Sequence, residues 1–290
     1  MQDCDYQNTR LTHLGRDTSV SAGFVNVPVC RGSTILADNL EQWAQRKEPG
    51  NPYASYGRFT NPTLQTLTQA VAELEGGFQA SLFPSGLAAC THALLGMLEV
   101  GDHLLIPDSV YGPVQFYEPS LAEGIASLIR PNTKVVYVES PGSATFEIQD
   151  IPAIARCAHA PFEHGVDVSI QAATKYLTGH SDALLGIATA NERAWPLLRR
   201  AAHDFGQTAG PDDAFLALRG MRTLGVHLAP VWHRSVLGWV REPGFAHGYA
   251  QAQWANLVRG RAVVAAACGV GGAPALAAGS GAGSGRGLCA

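Results

Sequence analysis

At 290 residues, 46% hydrophobic and 15% charged, the chain is long enough to bury a sizeable core. Its formal net charge of -4 supplies no basic field for nucleic acid, and no apolar run reaches the ~20 residues of a membrane span. The polar, acidic start Met1-Gln2-Asp3-Cys4-Asp5 is unlike a targeting peptide, and six scattered cysteines form no Cys-x-x-Cys or Cys/His cluster. A cytoplasmic protein without zinc, nucleic acid or membrane as partner is expected.

Residues 1–52 read as an N-terminal arm. Val25-Asn26-Val27-Pro28-Val29 and Arg31-Gly32-Ser33-Thr34 have strand and turn character, and Glu48-Pro49-Gly50-Asn51-Pro52 is a loop by composition. The arm has little to bury internally, so it packs on another part of the protein or on a second subunit. Residues 53–228 read as an α/β domain. Asn61-Pro62 supplies a helix cap and a first-turn proline, Leu64, Leu67, Val71 and Leu74 recur at helical spacing, and Gly76-Gly77 ends the element. Ala80-Ser81-Leu82-Phe83 is a short buried strand, and Pro84-Ser85-Gly86 turns the chain into a helix from about Leu87 to Leu98.

Further buried strands are expected over His103–Ile106, Lys134–Glu139, Val166–Gln171 and Leu184–Thr189, with a helix over Ile151–Ala160. Strands alternating with helices predict a mostly parallel sheet flanked by helices, with ligands at the carboxyl ends of strands. Residues 229–290 are a divergent C-terminal region with no firm period; residues 271–290, mostly Gly and Ala, cannot form a core and are expected to be disordered.

Four places carry chemistry. Lys175 follows the Val166–Gln171 strand in Ala172-Ala173-Thr174-Lys175-Tyr176; an amine there can form a Schiff base, although a lysine after a strand is more often a solvated loop residue. Gly86 and Leu87 sit where backbone N–H groups and a helix dipole can hold phosphate, an ordinary βα turn being the alternative. Tyr56 and Arg58 pair a phenol with a guanidinium suited to a phosphate, or are plain surface residues. Tyr111 can stack on a planar ring, or pack in the core. The histidines form no ligand-spaced set, so no metal is assigned.

The order of these segments is more specific than any one of them. Tyr56-Gly57-Arg58, Ser85-Gly86-Leu87, Tyr111-Gly112, Glu139-Ser140-Pro141-Gly142, Ala173-Thr174-Lys175-Tyr176 with Gly179-His180-Ser181-Asp182, and Leu218-Arg219-Gly220-Met221-Arg222-Thr223-Leu224 occur in one chain. Together, over about residues 8–228, they resemble the Cys/Met-metabolism family of pyridoxal-phosphate enzymes, and within it the β-lyase branch.

The resemblance implies a fold-type I transferase-like architecture, with the C-terminal domain incomplete here. It implies pyridoxal 5'-phosphate as cofactor, held by Lys175 as a Schiff base, and Lys175 as the shuttle of the substrate Cα proton. Tyr111 would stack on the cofactor ring. Gly86, Leu87 and Thr174 would hold its phosphate, and Tyr56 and Arg58 would reach the phosphate of a neighbouring subunit in a homodimer or homotetramer. The implied reaction is α,β-elimination of an amino-acid substrate, L-cystathionine, to homocysteine, pyruvate and ammonia in methionine biosynthesis. Cystathionine γ-synthase or γ-lyase chemistry, and a degenerate inactive relative, are the alternatives.

Three departures from the family pattern stand out. The strand that carries an Asp against the ring nitrogen, between the Glu139 segment and the lysine strand, has no counterpart before Pro161-Phe162-Glu163-His164-Gly165. Its loss is expected to leave the neighbouring strands unpaired. The segment after Tyr111 is also short, and no motif marks Arg234, Arg241, Arg259 or Arg261 as the substrate-carboxylate arginine.

Overall fold

The computed structural model describes residues 9–18, 21–46, 55–108, 117–139, 149–150, 154, 166–226 and 262–266. Tyr111, Ser140 to Ser143, the tail over 271–290 and the four C-terminal arginines lie outside the described residues, as does all but Ile154 of the helix expected over 151–160.

Short helices α1 (Leu40–Gln45) and α2 (Gly57–Thr60) precede α3 (Pro62–Glu75), which starts and stops where its sequence dictates. The Asn61 side chain accepts the Leu64 amide, Pro62 occupies the first turn, and Gly76 ends the helix at φ 69, a left-handed value that glycine adopts without strain. Then come β1 (Gln79–Phe83), α4 (Gly86–Met97) and β2 (His103–Leu105). A 3-10 segment (Pro119–Leu128) kinked at Ala122, with φ 45, leads to β3 (Thr133–Val138). Strands β4 (Val168–Gln171) and β5 (Gly186–Ala190), helices α5 (Trp195–Asp204) and α6 (Pro211–Met221), and β6 (Ala262–Ala266) complete the described elements.

One sheet in the order β1-β5-β4-β6-β3-β2 organises them. Strands β1, β2, β3 and β4 share one direction; β5 and β6 run against it. The expected mostly parallel sheet is therefore corrected to a mixed one, in which only β2 and β3 form a parallel ladder. The cause is connection length. Parallel neighbours need a crossover, usually a helix, whereas residues 172–185 between β4 and β5 are turns that fold the chain straight back.

The second correction concerns the missing strand. The residues flanking the gap do not lose their partner, because β6 sits between β3 and β4 and pairs with both. Val264 faces Tyr137 on one side and Val168 on the other, and Val263 faces Val138 and Ser169. A run of small and β-branched residues can serve wherever a buried strand is needed.

The sheet is covered on both faces. Helices α3 and α6 contribute Leu64, Leu67, Val71, Leu218 and Met221 to a core with Leu82, Leu185 and Ile187. On the other face, Ala89, Ala93 and Met97 of α4 and Leu198 of α5 pack on Phe83, Val135, Val168 and Ile170. The arm packs on its own chain: Leu11, Leu14 and Val27 join the first core, and the Cys30 amide donates to Thr63 Oγ1 at 2.9 Å. Arg31 forms an ion pair with Asp212 of α6. Leu36, Leu40 and Trp43 remain exposed. Among the described residues no helix is long and apolar enough to cross a membrane.

If β6 completes the sheet, Val264→Pro removes the backbone donor at the centre of two ladders. The expected cost is about 1–3 kcal/mol or more, read as a lower urea midpoint. An unchanged midpoint would show that residues 262–266 do not hold that place.

Candidate active site

The carboxyl ends of β1 and β4 and the start of β5 meet at one end of the sheet, as the pairings Phe83 with Gly186 and Gln171 with Ile187 require. Three turns converge there because they lack side-chain bulk. A Cβ on Gly86 would lie 2.7 Å from the Ala172 Cβ and 3.0 Å from its Cα. A Cβ on Gly186 would run into the Ser85 carbonyl, and one on Gly220 of α6 into the carbonyls of Leu177 and Thr178. The glycine of the Leu218-Arg219-Gly220-Met221 motif thus lets α6 close on the turn that carries Lys175.

That turn is tied from within. The Thr174 amide donates to the Leu185 carbonyl at 3.1 Å, and the Thr174 hydroxyl accepts the Leu185 amide at 3.1 Å and donates to its carbonyl at 3.2 Å. Thr178 Oγ1 donates to the Ala173 carbonyl at 2.9 Å, and the Gly179 amide to the Lys175 carbonyl at 2.7 Å. Gly179 and Ser181 both have left-handed φ, 75 and 57. For serine this is a sparsely populated conformation, of the kind held at functional sites.

Lys175 is exposed and opens onto a cleft of about 570 Å³ lined by Thr174, Ser181, Asp182, Ala183, Leu184 and Asp213. Asp213 stands in the first turn of α6, where burial, and then the charge of Asp212, raises its carboxyl pKa. Sequence reasoning missed Asp213 as a site residue. Nothing local marks it, since acidic residues after Pro211 read as an ordinary helix start. Asp182 and Ser181 were in view only as part of the motif that follows Lys175.

Gly86 and Leu87 are the first two residues of α4. Ser85 Oγ accepts the Ala88 amide at 3.1 Å, leaving the Gly86 and Leu87 amides without intrahelical acceptors at the positive end of the helix dipole. Gly86 stands against Ala172, three positions before Lys175. A group with a phosphate at one end and an aldehyde at the other fits this donor set: the Gly86 and Leu87 amides would hold the phosphate, and the lysine would take the aldehyde.

Tyr56 and Arg58 do not line this cleft. Tyr56 is 45% exposed. The Arg58 guanidinium carbon lies 4.1 Å from the centre of the Phe59 ring, which stacks on His203, and the guanidinium fills the space beside Gly206 at the end of α5. The structure therefore sets Gly86 against the head of the turn that carries Thr174 and Lys175, with Leu87 next to it in α4, and leaves Tyr56 and Arg58 outside the cleft lining.

Comparison with known proteins identifies the family. The family described as Cys/Met metabolism PLP-dependent enzyme matches residues 8–160 and 159–234. A Rhizobium johnstonii protein provisionally named cystathionine beta-lyase is 43% identical over 254 residues, covering 76% of this chain and 63% of its own length. Cystathionine beta-lyase MetC of Escherichia coli is 37% identical, over 76% of this chain and 65% of its own. This chain thus spans less than two thirds of the length of either. An L-alanine/L-glutamate racemase of Wolbachia pipientis is 34% identical over 74% of this chain. The crystal structure of metB from Corynebacterium glutamicum aligns with TM-score 0.70 at 24% identity, over 89% of this chain and 77% of that one.

The Thr174 hydroxyl already serves Leu185, so Thr174→Val is expected to destabilise the cofactor-free protein by about 1–3 kcal/mol, with Thr174→Ser close to the parent. Chemical denaturation without cofactor checks this. Equal stability of all three would mean that the hydroxyl acts only on a ligand.

Proposed function

The chain belongs to the Cys/Met metabolism family of PLP-dependent enzymes, with their fold-type I architecture, and on that premise we propose that it is a carbon–sulfur lyase performing α,β-elimination on L-cystathionine. The observation that carries this reading is the close approach of Gly86, at the start of α4, to Ala172 at the head of the turn in which Thr174 is tied to Leu185 and Lys175 opens onto the cleft. Bound pyridoxal phosphate supplies an electron sink for the electrons left when the substrate Cα proton departs. Lys175 takes that proton. Gly86 and Leu87 hold the phosphate through their amides, and the Thr174–Leu185 bonds keep the lysine turn in register with them. Asp182 and Asp213 give the cleft a negative potential that attracts the ammonium of an incoming amino acid.

Tyr56 and Arg58, remote from the cleft of their own chain, serve that of a second copy. On this reading a homodimer, or a tetramer built from dimers, is the working unit, in the cytoplasm. Tyr111, outside the described residues, would stack on the cofactor ring, as the family resemblance implies.

One observation favours a second reading, a relative that holds cofactor but turns over little substrate. The place between β3 and β4 is filled by Ala262-Val263-Val264-Ala265-Ala266, which carries no carboxylate. No arginine is among the described residues that line the cleft.

The test is to purify the full chain with pyridoxal phosphate, reduce it with borohydride, locate the modified residue by peptide mass spectrometry, and assay pyruvate release from cystathionine. Lys175 is expected to carry the adduct, and Lys175→Ala to lower pyruvate release at least about 10²-fold. Adduct without pyruvate selects the second reading. No adduct overturns both.

A further inference from the structure

A second concave site lies on the far side of α6, against the N-terminal segment. It is a pocket of about 130 Å³, lined by Gly15, Arg16, Asn26, Phe215, Arg219 and Arg222 among others. That is well below the roughly 300–1,000 Å³ of sites for drug-sized ligands. It shares no lining residue with the Lys175 cleft. Three arginines line it, and among the described residues no carboxylate does.

We propose that this pocket is a small-anion site, in which Arg16, Arg219 and Arg222 bind a phosphate-type oxyanion. Two features set it apart from a chance cluster of surface arginines. First, Arg222 is preset: its Nη1 donates to the Leu11 and Thr12 carbonyls, each at 2.9 Å, so the side chain is fixed before any ligand arrives. Second, the Arg16 Nε is buried and has no hydrogen-bond partner, a state that costs free energy until an acceptor is supplied. The guanidinium of Arg222 also titrates below its ordinary range, first because of burial and then because of the charge of Arg16. The two cations are therefore close enough to repel one another. An oxyanion relieves both costs at once, and the forked N–H groups of arginine suit the several oxygens of a phosphate.

Gly15, at φ +68, turns the chain so that Arg16 reaches this face, and a Cβ there would come within 2.8 Å of Thr66. Arg219 completes the set from the last turn of α6. Asp213 and Arg219 are six residues apart on that helix, about 9 Å along its axis. One helix thus lends a carboxylate to the cofactor cleft and a guanidinium to the anion pocket.

The experiment measures thermal unfolding of the full chain against inorganic phosphate, with sodium chloride at matched ionic strength as control. Expected is a saturable rise in Tm beyond the chloride effect. Arg16→Gln and Arg219→Gln should each weaken the apparent affinity at least tenfold, and Lys175→Ala should leave it unchanged. Arg219 is exposed on α6, so its substitution carries the test if Arg16→Gln impairs folding. Glycerol phosphate in a parallel series tells a free ion from the head group of a larger molecule: comparable affinity selects the head group, and weaker binding the free ion. The proposal is overturned if phosphate does no more than chloride, or if its effect survives both arginine substitutions. That last result would place the ion elsewhere, the α4 amides included, and leave the lyase reading untouched.

Discussion

The close approach of three backbones at the end of the sheet is the constraint on which the candidate site depends. Gly86 against Ala172, Gly186 against Ser85, and Gly220 against Leu177 and Thr178 leave no room for a Cβ at the glycines. Each contact fixes a distance that side-chain packing would leave looser, because backbone cannot move aside as a rotamer can. The helix start at Ser85 and the lysine turn are thereby held in one register before any ligand is present, which lowers the cost of ordering them on binding.

The same economy of side chains governs the sheet. Ser169 and Thr189 face each other across β4 and β5, both fully buried, while their neighbours Val168, Ile170, Ala188 and Ala190 point to the opposite core. A strand inserted beside such residues must be small and must bring its own backbone donors. Ala262 to Ala266 meets both demands, and it needs no sequence relation to the strand it stands in for, because ladder pairing reads backbone rather than side chains. A sheet can therefore recover its continuity without recovering the chemistry that a strand once carried at its end.

What could be read in the sequence divides along this line. Local signals were legible: the Asn61 cap, the Gly76 stop, the Ser85 helix start and the short runs that became β1 to β5 all lie within a residue or two of their expected positions. Strand direction was not, because alternation of apolar runs is the same whichever way a buried strand points. Nor was β6, since five small residues in a Gly/Ala-rich region have the same composition as a linker. The pairing of Thr174 with Leu185 and the place of Asp213 depend on contacts across 11 residues in one case and on the packing of α6 in the other, and neither leaves a mark in the local sequence. Of the ordered motifs, the one around Lys175 lines the cleft, and the glycines at 86 and 220 show which neighbouring segments touch its turn.

Holding a cofactor and using it make different demands. Phosphate binding asks for backbone amides and a tight turn, which survive as long as Gly86, Ala172 and Gly186 survive. Stabilising a carbanion asks for a charged partner at the far end of the ring, aimed through a low-dielectric site, and this is a property of one side chain on one strand. Continuity of the sheet cannot replace it. Between β3 and β4 the pairing is restored by Val263 and Val264, while the carboxylates that do line the cleft, Asp182 and Asp213, come from the lysine loop and from α6. Among the described residues, the negative charge lining this cleft is therefore delivered from the lysine loop and from α6 rather than from a strand between β3 and β4.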